Sequence, residues 1–276
     1  MDYSKYLLVS DIDGTALIAG KPIPEANIKA INDFVEKGGR FTICTGRGSK
    51  SASVLTSLIN LKEPAIICNG TCVYDYRNDK VIYTQTLPSK ASKIIKEFII
   101  NFPKTGIEVV KEPKVYICNM SEAAEKHLKH RNMQCELKTI DDVGFGLNKV
   151  VFICDLNDKE AIDAYLLEAT QNDDEIDYVW TNDHLVELVP AKASKATGLL
   201  KLCEALNIDI NNVVAVGDYY NDIELLNAAK VKILVDNAPE ELKEMADIVV
   251  GDCLSGGLAQ VINDFESIVN KYIEGE

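Results

Sequence analysis

Short apolar runs alternate with helix-like patterns along residues 1–70 of the chain. The apolar runs predict strands at 5–10, 40–44 and 64–68, and apolar residues at helical spacing predict helices at 25–37 and 49–59. The predicted strands are apolar almost throughout, which is typical of a parallel sheet whose two faces are both covered. The alternation of strand and helix therefore predicts an α/β fold.

The same pattern returns toward the C-terminus, after a segment of different character. Helices are predicted at 195–206, 222–229, 239–245 and 258–272, and strands at 213–216, 233–235 and 248–250. Between residues 87 and 189 helices and strands follow another order, and Pro88 and Pro190 bracket this segment. We therefore predict a Rossmann-like parallel-sheet core of three α/β/α layers, formed by residues 1–86 and 190–276, with an inserted α+β domain at 87–189.

Length and charge narrow the possible partners. A chain of 276 residues is long enough for two domains. Its net charge of −14 argues against binding to a nucleic-acid backbone or to an anionic membrane surface. No apolar run approaches the ~18 residues needed to span a bilayer, and the first residues lack the basic and apolar regions of a signal peptide. These features predict a cytoplasmic protein with a small-molecule partner; they give no oligomeric state.

Two carboxylates follow the first predicted strand, in the segment Asp11-Ile12-Asp13-Gly14-Thr15. Side chains two residues apart on an extended segment point the same way. An isolated Asp-x-Asp is typical of a solvated turn, but ligands bind at the carboxyl ends of strands in open α/β sheets. The position of this pair therefore favours a functional site.

Other predicted core strands also end in polar or glycine residues. Thr45-Gly46-Arg47 offers a hydroxyl and free backbone N–H groups just before a helix, which suits a phosphate. Asp218 and Asp222 follow the strand at 213–216, and Lys195 opens a helix after the inserted segment. Clustered carboxylates repel one another unless a cation lies among them, and oxygen-only ligands favour magnesium over zinc. The sequence therefore predicts a site for a metal and a phosphate.

These motifs, in this order, resemble those of the haloacid dehalogenase superfamily, in particular its Cof-type sugar-phosphatase branch. The resemblance covers essentially the whole chain. The four motifs are matched by Asp11-Ile12-Asp13-Gly14-Thr15, Thr45-Gly46-Arg47, Ser194-Lys195 and Gly217-Asp218-Tyr219-Tyr220-Asn221-Asp222. The chain differs from the usual pattern of this family at two places beside the motif residues. Tyr219-Tyr220 stands where a small or acidic pair is expected, and Ala196 stands where a glycine commonly follows the lysine.

The resemblance implies a magnesium-dependent phosphatase that hydrolyses small phosphate monoesters, such as sugar phosphates, through an aspartyl-phosphate. Asp11 would be the nucleophile and Asp13 the acid and base. The phosphoryl group would be bound by Ile12, Thr45, Gly46, Lys195 and Asn221. Mg²⁺ would be held by Asp11, the backbone carbonyl of Asp13, and Asp218. Asp222 would orient Lys195 or a metal-bound water, and the inserted domain would close over the site and set specificity.

Several alternatives stay open at this point. A phosphomutase would use the same chemistry with a sugar as acceptor, and a receiver-type regulatory module would also form an aspartyl-phosphate. Lys192 is a rival to Lys195 for the third motif. The stretch from Trp180 to His184 is a candidate to face the substrate, with Trp180 in the core of the inserted domain as the alternative.

Overall fold

The computed structural model describes residues 1–18, 21–130 and 135–275. The chain folds into two compact units. The core unit comprises Met1–Arg47, Ala52–Tyr83 and Ser194–Glu276, and the inserted unit comprises Gly48–Ser51 and Thr84–Ala193.

Strands and helices alternate along most of the chain. The strands are β1 (Leu7–Ser10), β2 (Arg40–Ile43), β3 (Ala65–Ile67), β4 (Cys72–Asp75), β5 (Lys80–Thr84), β6 (Gly106–Lys111), β7 (Lys114–Asn119), β8 (Glu136–Leu137), β9 (Lys149–Ile153), β10 (Ile176–Asn182), β11 (Leu185–Pro190), β12 (Val213–Gly217), β13 (Val231–Val235) and β14 (Ile248–Val250). The helices are α1 (Glu25–Glu36), α2 (Ser49–Thr56), α3 (Ala91–Asn101), α4 (Glu122–His130), α5 (Ile140–Val143), α6 (Lys159–Thr170), α7 (Lys195–Leu206), α8 (Ile223–Ala228), α9 (Glu240–Lys243), α10 (Gly257–Asn263) and α11 (Phe265–Val269).

The core unit is built on a parallel sheet with the strand order β14-β13-β12-β1-β2. β1 lies inside this sheet, between β12 and β2, and all four residues of β1 are buried. Alternate residues Leu7 and Val9 pack with Leu199 and Leu202 of α7, while α1 contacts α10. An all-parallel sheet needs helices on both faces, because each strand is apolar along its whole length.

A smaller sheet, of order β3-β4-β5, adjoins the end of β2. A parallel bridge joins Cys44 to Ile66, and the Thr45 N–H donates to the carbonyl of Ile66 at 2.9 Å. β3 therefore ends beside the Thr45-Gly46-Arg47 segment.

The inserted unit carries a six-stranded sheet of order β10-β11-β9-β6-β7-β8, antiparallel except for the β7–β8 pair. One face packs with α3 and α6 around Phe98, Phe152 and Leu166. Trp180 packs partly buried against this same cluster, and its indole N–H donates to Asp163 at 2.7 Å. These contacts match the core alternative given for Trp180.

The predicted fold class is confirmed: a parallel-sheet core with helices on it, and additional α+β structure. α7 and β14 have the predicted bounds. The single closing helix predicted at 258–272 is wrong, because the helix is divided at Asp264 into α10 and α11. At this division Phe265 packs edge-on against Phe34, with 4.9 Å between ring centroids.

Among the helices of the described residues, none is both long enough and apolar enough to cross a membrane.

Candidate active site

Three core strands end beside one another and bring the predicted motifs together. Asp11 follows β1, Thr45 follows β2 and Asp218 follows β12, and β1 lies between the other two. The Asp11 N–H donates to the Val216 carbonyl at 2.9 Å. The hydrogen bonds between β1 and β12 therefore continue as far as Asp11 and fix the position of its backbone. The structure therefore gathers these side chains at one edge of the core sheet, where ligands bind in such folds.

Gly14 allows the Asp11–Thr15 loop to pack closely against Asp218. Its φ is +97°, and a Cβ on Gly14 would lie 2.1 Å from Asp218 Oδ2. The Thr15 hydroxyl donates to Asp218 Oδ1 at 2.8 Å. A side chain at position 14 would thus displace the Asp218 carboxylate.

Asn237 fixes the same loop from another side. Its Nδ2 donates to the Gly14 carbonyl at 2.9 Å, and its Oδ1 accepts from the Cys253 N–H at 2.8 Å. The carboxamide therefore ties the loop to the segment before α10.

Lys195 is the first residue of α7, and its side chain is only 1% exposed. Its ammonium donates to Asp11 Oδ1 and, at 2.6 Å, to Asp222 Oδ1. Asp222 Oδ2 accepts from the backbone N–H groups of Asp218 at 3.0 Å and Tyr219 at 3.2 Å. Both oxygens of Asp222 are thus engaged, and its carboxylate links the lysine to the turn after β12.

The buried charges at this edge do not balance. Asp11, Asp218 and Asp222 are buried, with one ligand atom from each lying within 4.8 Å of the others. Burial raises the pKa of Asp11 to about 8, although the Lys195 charge opposes the shift. Burial raises the pKa of Asp218 to about 6, against the hydrogen bond from Thr15.

Burial lowers the pKa of Lys195, but the charges of Asp11 and Asp222 outweigh it, so this pKa lies above its usual range. The lysine therefore stays protonated and, when Asp11, Asp218 and Asp222 are all ionised, it neutralises one carboxylate of the three. The remaining oxygens form a hard donor set with excess negative charge, and such a set fits Mg²⁺.

Asp13 lies outside this acidic cluster. Its side chain is 39% exposed, and Arg47 binds it with two hydrogen bonds, from Nε at 2.7 Å and from the terminal nitrogen at 2.5 Å. The hydrogen bond to Asp13 raises the pKa of Arg47. Two carboxylates separated by one residue thus have different surroundings.

Three of the predicted phosphate-binding residues, Thr45, Ile12 and Asn221, have different surroundings. Thr45 is buried, and its hydroxyl oxygen accepts from the Arg47 N–H at 3.1 Å. The Ile12 carbonyl accepts from the N–H groups of Ala16 and Leu17, both at 2.9 Å. Asn221 is exposed, and within the described residues no hydrogen bond or ion pair joins it to the other predicted site residues.

Some groups at this edge had no assigned role in the sequence analysis. Thr15 and Arg47 lie inside the first and second motifs, and this position in the sequence is the feature that could have indicated a role for them. Asn69-Gly70 and Asp236-Asn237-Ala238 stand where the Cof-type branch usually has similar residues, but by itself a polar residue after a strand is typical of an ordinary turn. Lys192, the rival to Lys195, is exposed and belongs to the inserted unit.

The family model of the haloacid dehalogenase-like hydrolases matches residues 8–262. The chain belongs to this family. It is 26% identical over 263 residues to pyridoxal phosphate phosphatase YbhA of Escherichia coli, covering 93% of this chain and 97% of the relative. The predicted enzyme class, a phosphoric monoester hydrolase, is confirmed by the family and by such relatives.

Solved structures share the fold of this hydrolase. A haloacid dehalogenase-like hydrolase from Bacteroides thetaiotaomicron has a TM-score of 0.84 at 21% identity, covering 94% of this chain and 99% of that one. The HAD subclass IIB sugar phosphatase BT4131 has a TM-score of 0.77 at 20% identity, covering 95% and 99%. At these identities the similarity establishes the fold alone.

Proposed function

We propose that this hydrolase is a magnesium-dependent phosphatase that cleaves small phosphate monoesters through an aspartyl-phosphate on Asp11. One observation carries the proposal: Asp11 is buried beside a protonated lysine and two further carboxylates, at the edge where the core strands end. A buried carboxylate in that setting is suited to attack a phosphoryl group that a cation and a lysine hold in place.

Asp11 begins the reaction in this proposal. Its Oδ1 accepts from Lys195, which leaves Oδ2 to attack phosphorus in line with the ester oxygen. An O–P bond forms as the ester P–O bond breaks, and the leaving alkoxide departs. Covalent catalysis of this kind divides one difficult displacement into two easier ones.

Asp13 moves the protons. Its partly exposed carboxyl group protonates the leaving oxygen and afterwards takes a proton from the water that cleaves the aspartyl-phosphate. Arg47 holds both oxygens of Asp13, so it must release at least one of them as substrate binds.

The remaining residues stabilise the phosphoryl group. Lys195 and the Thr45–Gly46 segment would bind its oxygens, together with Ile12 and Asn221, as charge develops on them. Asp11, Asp218 and the Asp13 carbonyl would hold Mg²⁺, which when bound supplies positive charge to offset that of the phosphoryl oxygens. Asp222 is the positioning residue for Lys195, because its two oxygens are already engaged.

The inserted domain, proposed at residues 87–189, would exclude water during the reaction and select the leaving group. Sugar phosphates or similar metabolites are the proposed substrates. Their support is the Cof-type resemblance, together with the relative named for pyridoxal phosphate.

The test is an assay of free phosphate released from a panel of phosphorylated sugars and cofactors, with and without Mg²⁺. The proposal expects magnesium-dependent release with repeated turnover. Isomerised sugar phosphate without free phosphate would indicate a mutase. A long-lived phosphoprotein without turnover would indicate a regulatory module, and either result would contradict the proposal.

A further inference from the structure

The turn that follows β3, Cys68–Gly70, has an unusual backbone. Cys68 and Asn69 both have positive φ, at 52° and 53°, and Gly70 follows at 92°. Left-handed conformations are rare for residues other than glycine, and they cluster where a site needs a particular geometry. The left-handed conformation of two consecutive non-glycine residues is therefore not explained by the turn alone.

This turn is bonded to the Thr45-Gly46-Arg47 segment. The Asn69 N–H donates to the Thr45 carbonyl and the Cys68 N–H to the Arg47 carbonyl, both at 2.9 Å. The backbone of the segment proposed to bind the phosphoryl group is thus held at both ends by the 68–70 turn.

The Asn69 carboxamide packs directly on Gly46. A Cβ at Gly46 would lie 2.9 Å from Asn69 Oδ1 and 3.1 Å from Nδ2. Among the described residues, Asn69 Oδ1 is buried and has no hydrogen-bond partner. A buried polar atom without a partner is costly, so its contact with Gly46 is not explained by stabilisation of the fold.

The opposite side of the turn meets the start of α7. A Cβ at Gly70 would lie 1.9 Å from the Ser194 carbonyl oxygen and 3.0 Å from the Lys195 N. The turn therefore lies between the Thr45–Arg47 segment and the residue that carries the buried ammonium.

We propose that Asn69 is a positioning residue for phosphoryl binding, whose carboxamide sets the place of Gly46 relative to Lys195. This inference rests on the proposed function for the identity of the ligand, a phosphoryl group. Asn69 acts through Gly46 and Thr45 rather than on the substrate, and the strained backbone is retained because it aims the carboxamide at Gly46.

The first test compares Asn69→Gly with Asn207→Gly. Asn207 is a matched control, because it is also a left-handed asparagine, with φ 52° at the C-terminal end of α7, and is exposed. Glycine tolerates this backbone, so both variants should fold. The affinity for inorganic phosphate is measured by calorimetry, alongside kcat, KM and the thermal midpoint.

Asn69→Gly should lower phosphate affinity and reduce kcat by about tenfold to a hundredfold, since a displacement near 1 Å is enough for such losses. Its thermal midpoint should not fall below that of Asn207→Gly, whose affinity and kcat should match the wild type. Unchanged affinity and kcat in Asn69→Gly, or a loss matched by an equal loss in the control, would overturn the inference.

A second test uses compensation between the two contacting residues. Gly46→Ala alone should be impaired, because its methyl group meets the Asn69 carboxamide. In the Asn69→Gly background the methyl group has room and supports the segment, so the double variant should bind phosphate better than Gly46→Ala alone. Strictly additive losses would contradict the inference.

The proposed phosphatase function and the proposed role of Asn69 can be contradicted independently of each other. A wild type that binds phosphate but releases none from any ester contradicts the proposed function, while the affinities still test Asn69. A wild type that hydrolyses esters, with Asn69→Gly equally active and equally tight, contradicts the role of Asn69 alone.

Discussion

At the scale of single residues, Asp11 and Asp13 show how surroundings divide the work of like side chains. The Asp11 residue is 4% exposed and pairs with a buried lysine, whereas Asp13 is partly exposed and pairs with Arg47. Burial among carboxylates suits the proposed nucleophile, and access to water suits the proposed acid and base.

Asp11→Asn should abolish nearly all turnover, because a carboxamide has no anionic oxygen to attack phosphorus. The fold should persist, since asparagine has the same shape and can still accept from Lys195. Steady-state turnover and thermal unfolding measure the two effects. Substantial residual turnover in a folded Asp11→Asn protein would show that another group attacks.

Asp13→Asn should impair the enzyme in a manner that depends on the leaving group. Alkyl phosphates need a proton on the departing oxygen, whereas nitrophenolate leaves without one. The ratio of kcat/KM between wild type and variant, measured on both substrate types, should be much larger for the alkyl ester. Equal losses on both would exclude Asp13 as the acid.

Lys195→Met should cut turnover about a hundredfold or more, as removal of a preorganised charge typically does. It should also lower the free energy of unfolding by roughly 3–5 kcal/mol, because Asp11 and Asp222 lose their buried counter-charge. Lys192→Met is the matched control at an exposed position and should change both little. The reverse ranking of the two variants would assign the third motif to Lys192.

At the scale of elements, apolar patterning predicted the core strands and the start of α7, because period and capping residues are local signals. Ser194 caps α7 by accepting from the Thr197 N–H at 3.3 Å, which is a signal visible in sequence. The division of the last helix at Asp264 and the side-chain bridge of Asn237 between Gly14 and Cys253 depend on residues distant in the chain. No local pattern encodes them.

Asn27 on α1 is another such bridge. Its Nδ2 donates to the Ala16 carbonyl at 3.0 Å, and its Oδ1 accepts from the Ala259 N–H in α10 at 3.0 Å. Asn27→Ala should lower the free energy of unfolding by roughly 2–4 kcal/mol, because two buried backbone groups lose their partner.

Asn32→Ala on the same helix is the control for that change. Asn32 accepts from the Asn60 N–H at an exposed site, where water replaces the lost bond. Denaturant unfolding of both variants measures the difference, and an equal loss in the two would remove the special role given to Asn27.

At the scale of the whole molecule, the raised pKa values of two buried carboxyl groups would couple the proposed metal binding to pH. The ordinary pKa of 3.8 is raised to about 8 for Asp11 and to about 6 for Asp218, so the folded chain holds protons there that the unfolded chain has lost. Stability of the metal-free protein should therefore fall as pH rises from about 4 to 8.

Mg²⁺ should raise the thermal midpoint, and the rise should be larger at pH 8 than at pH 5, where protons compete for the same oxygens. Saturation at a hundred times the dissociation constant corresponds to about 2.7 kcal/mol. Asp218→Asn should reduce the rise at pH 8. If Mg²⁺ raised the thermal midpoint of Asp218→Asn as much as that of the wild type, the metal would bind elsewhere. A larger rise for the wild type at pH 5 than at pH 8 would lead to the same conclusion.

The central claim is that Asp11 carries the phosphoryl group during turnover. The most direct measurement is acid quenching of Asp13→Asn during turnover of nitrophenyl phosphate, followed by mass spectrometry of the peptides. Loss of the base slows breakdown of the intermediate, so the peptide with Asp11 should gain one phosphoryl group, and Asp11→Asn should gain none. A phosphoryl group on another residue, or none in Asp13→Asn while phosphate is still released, would contradict the account.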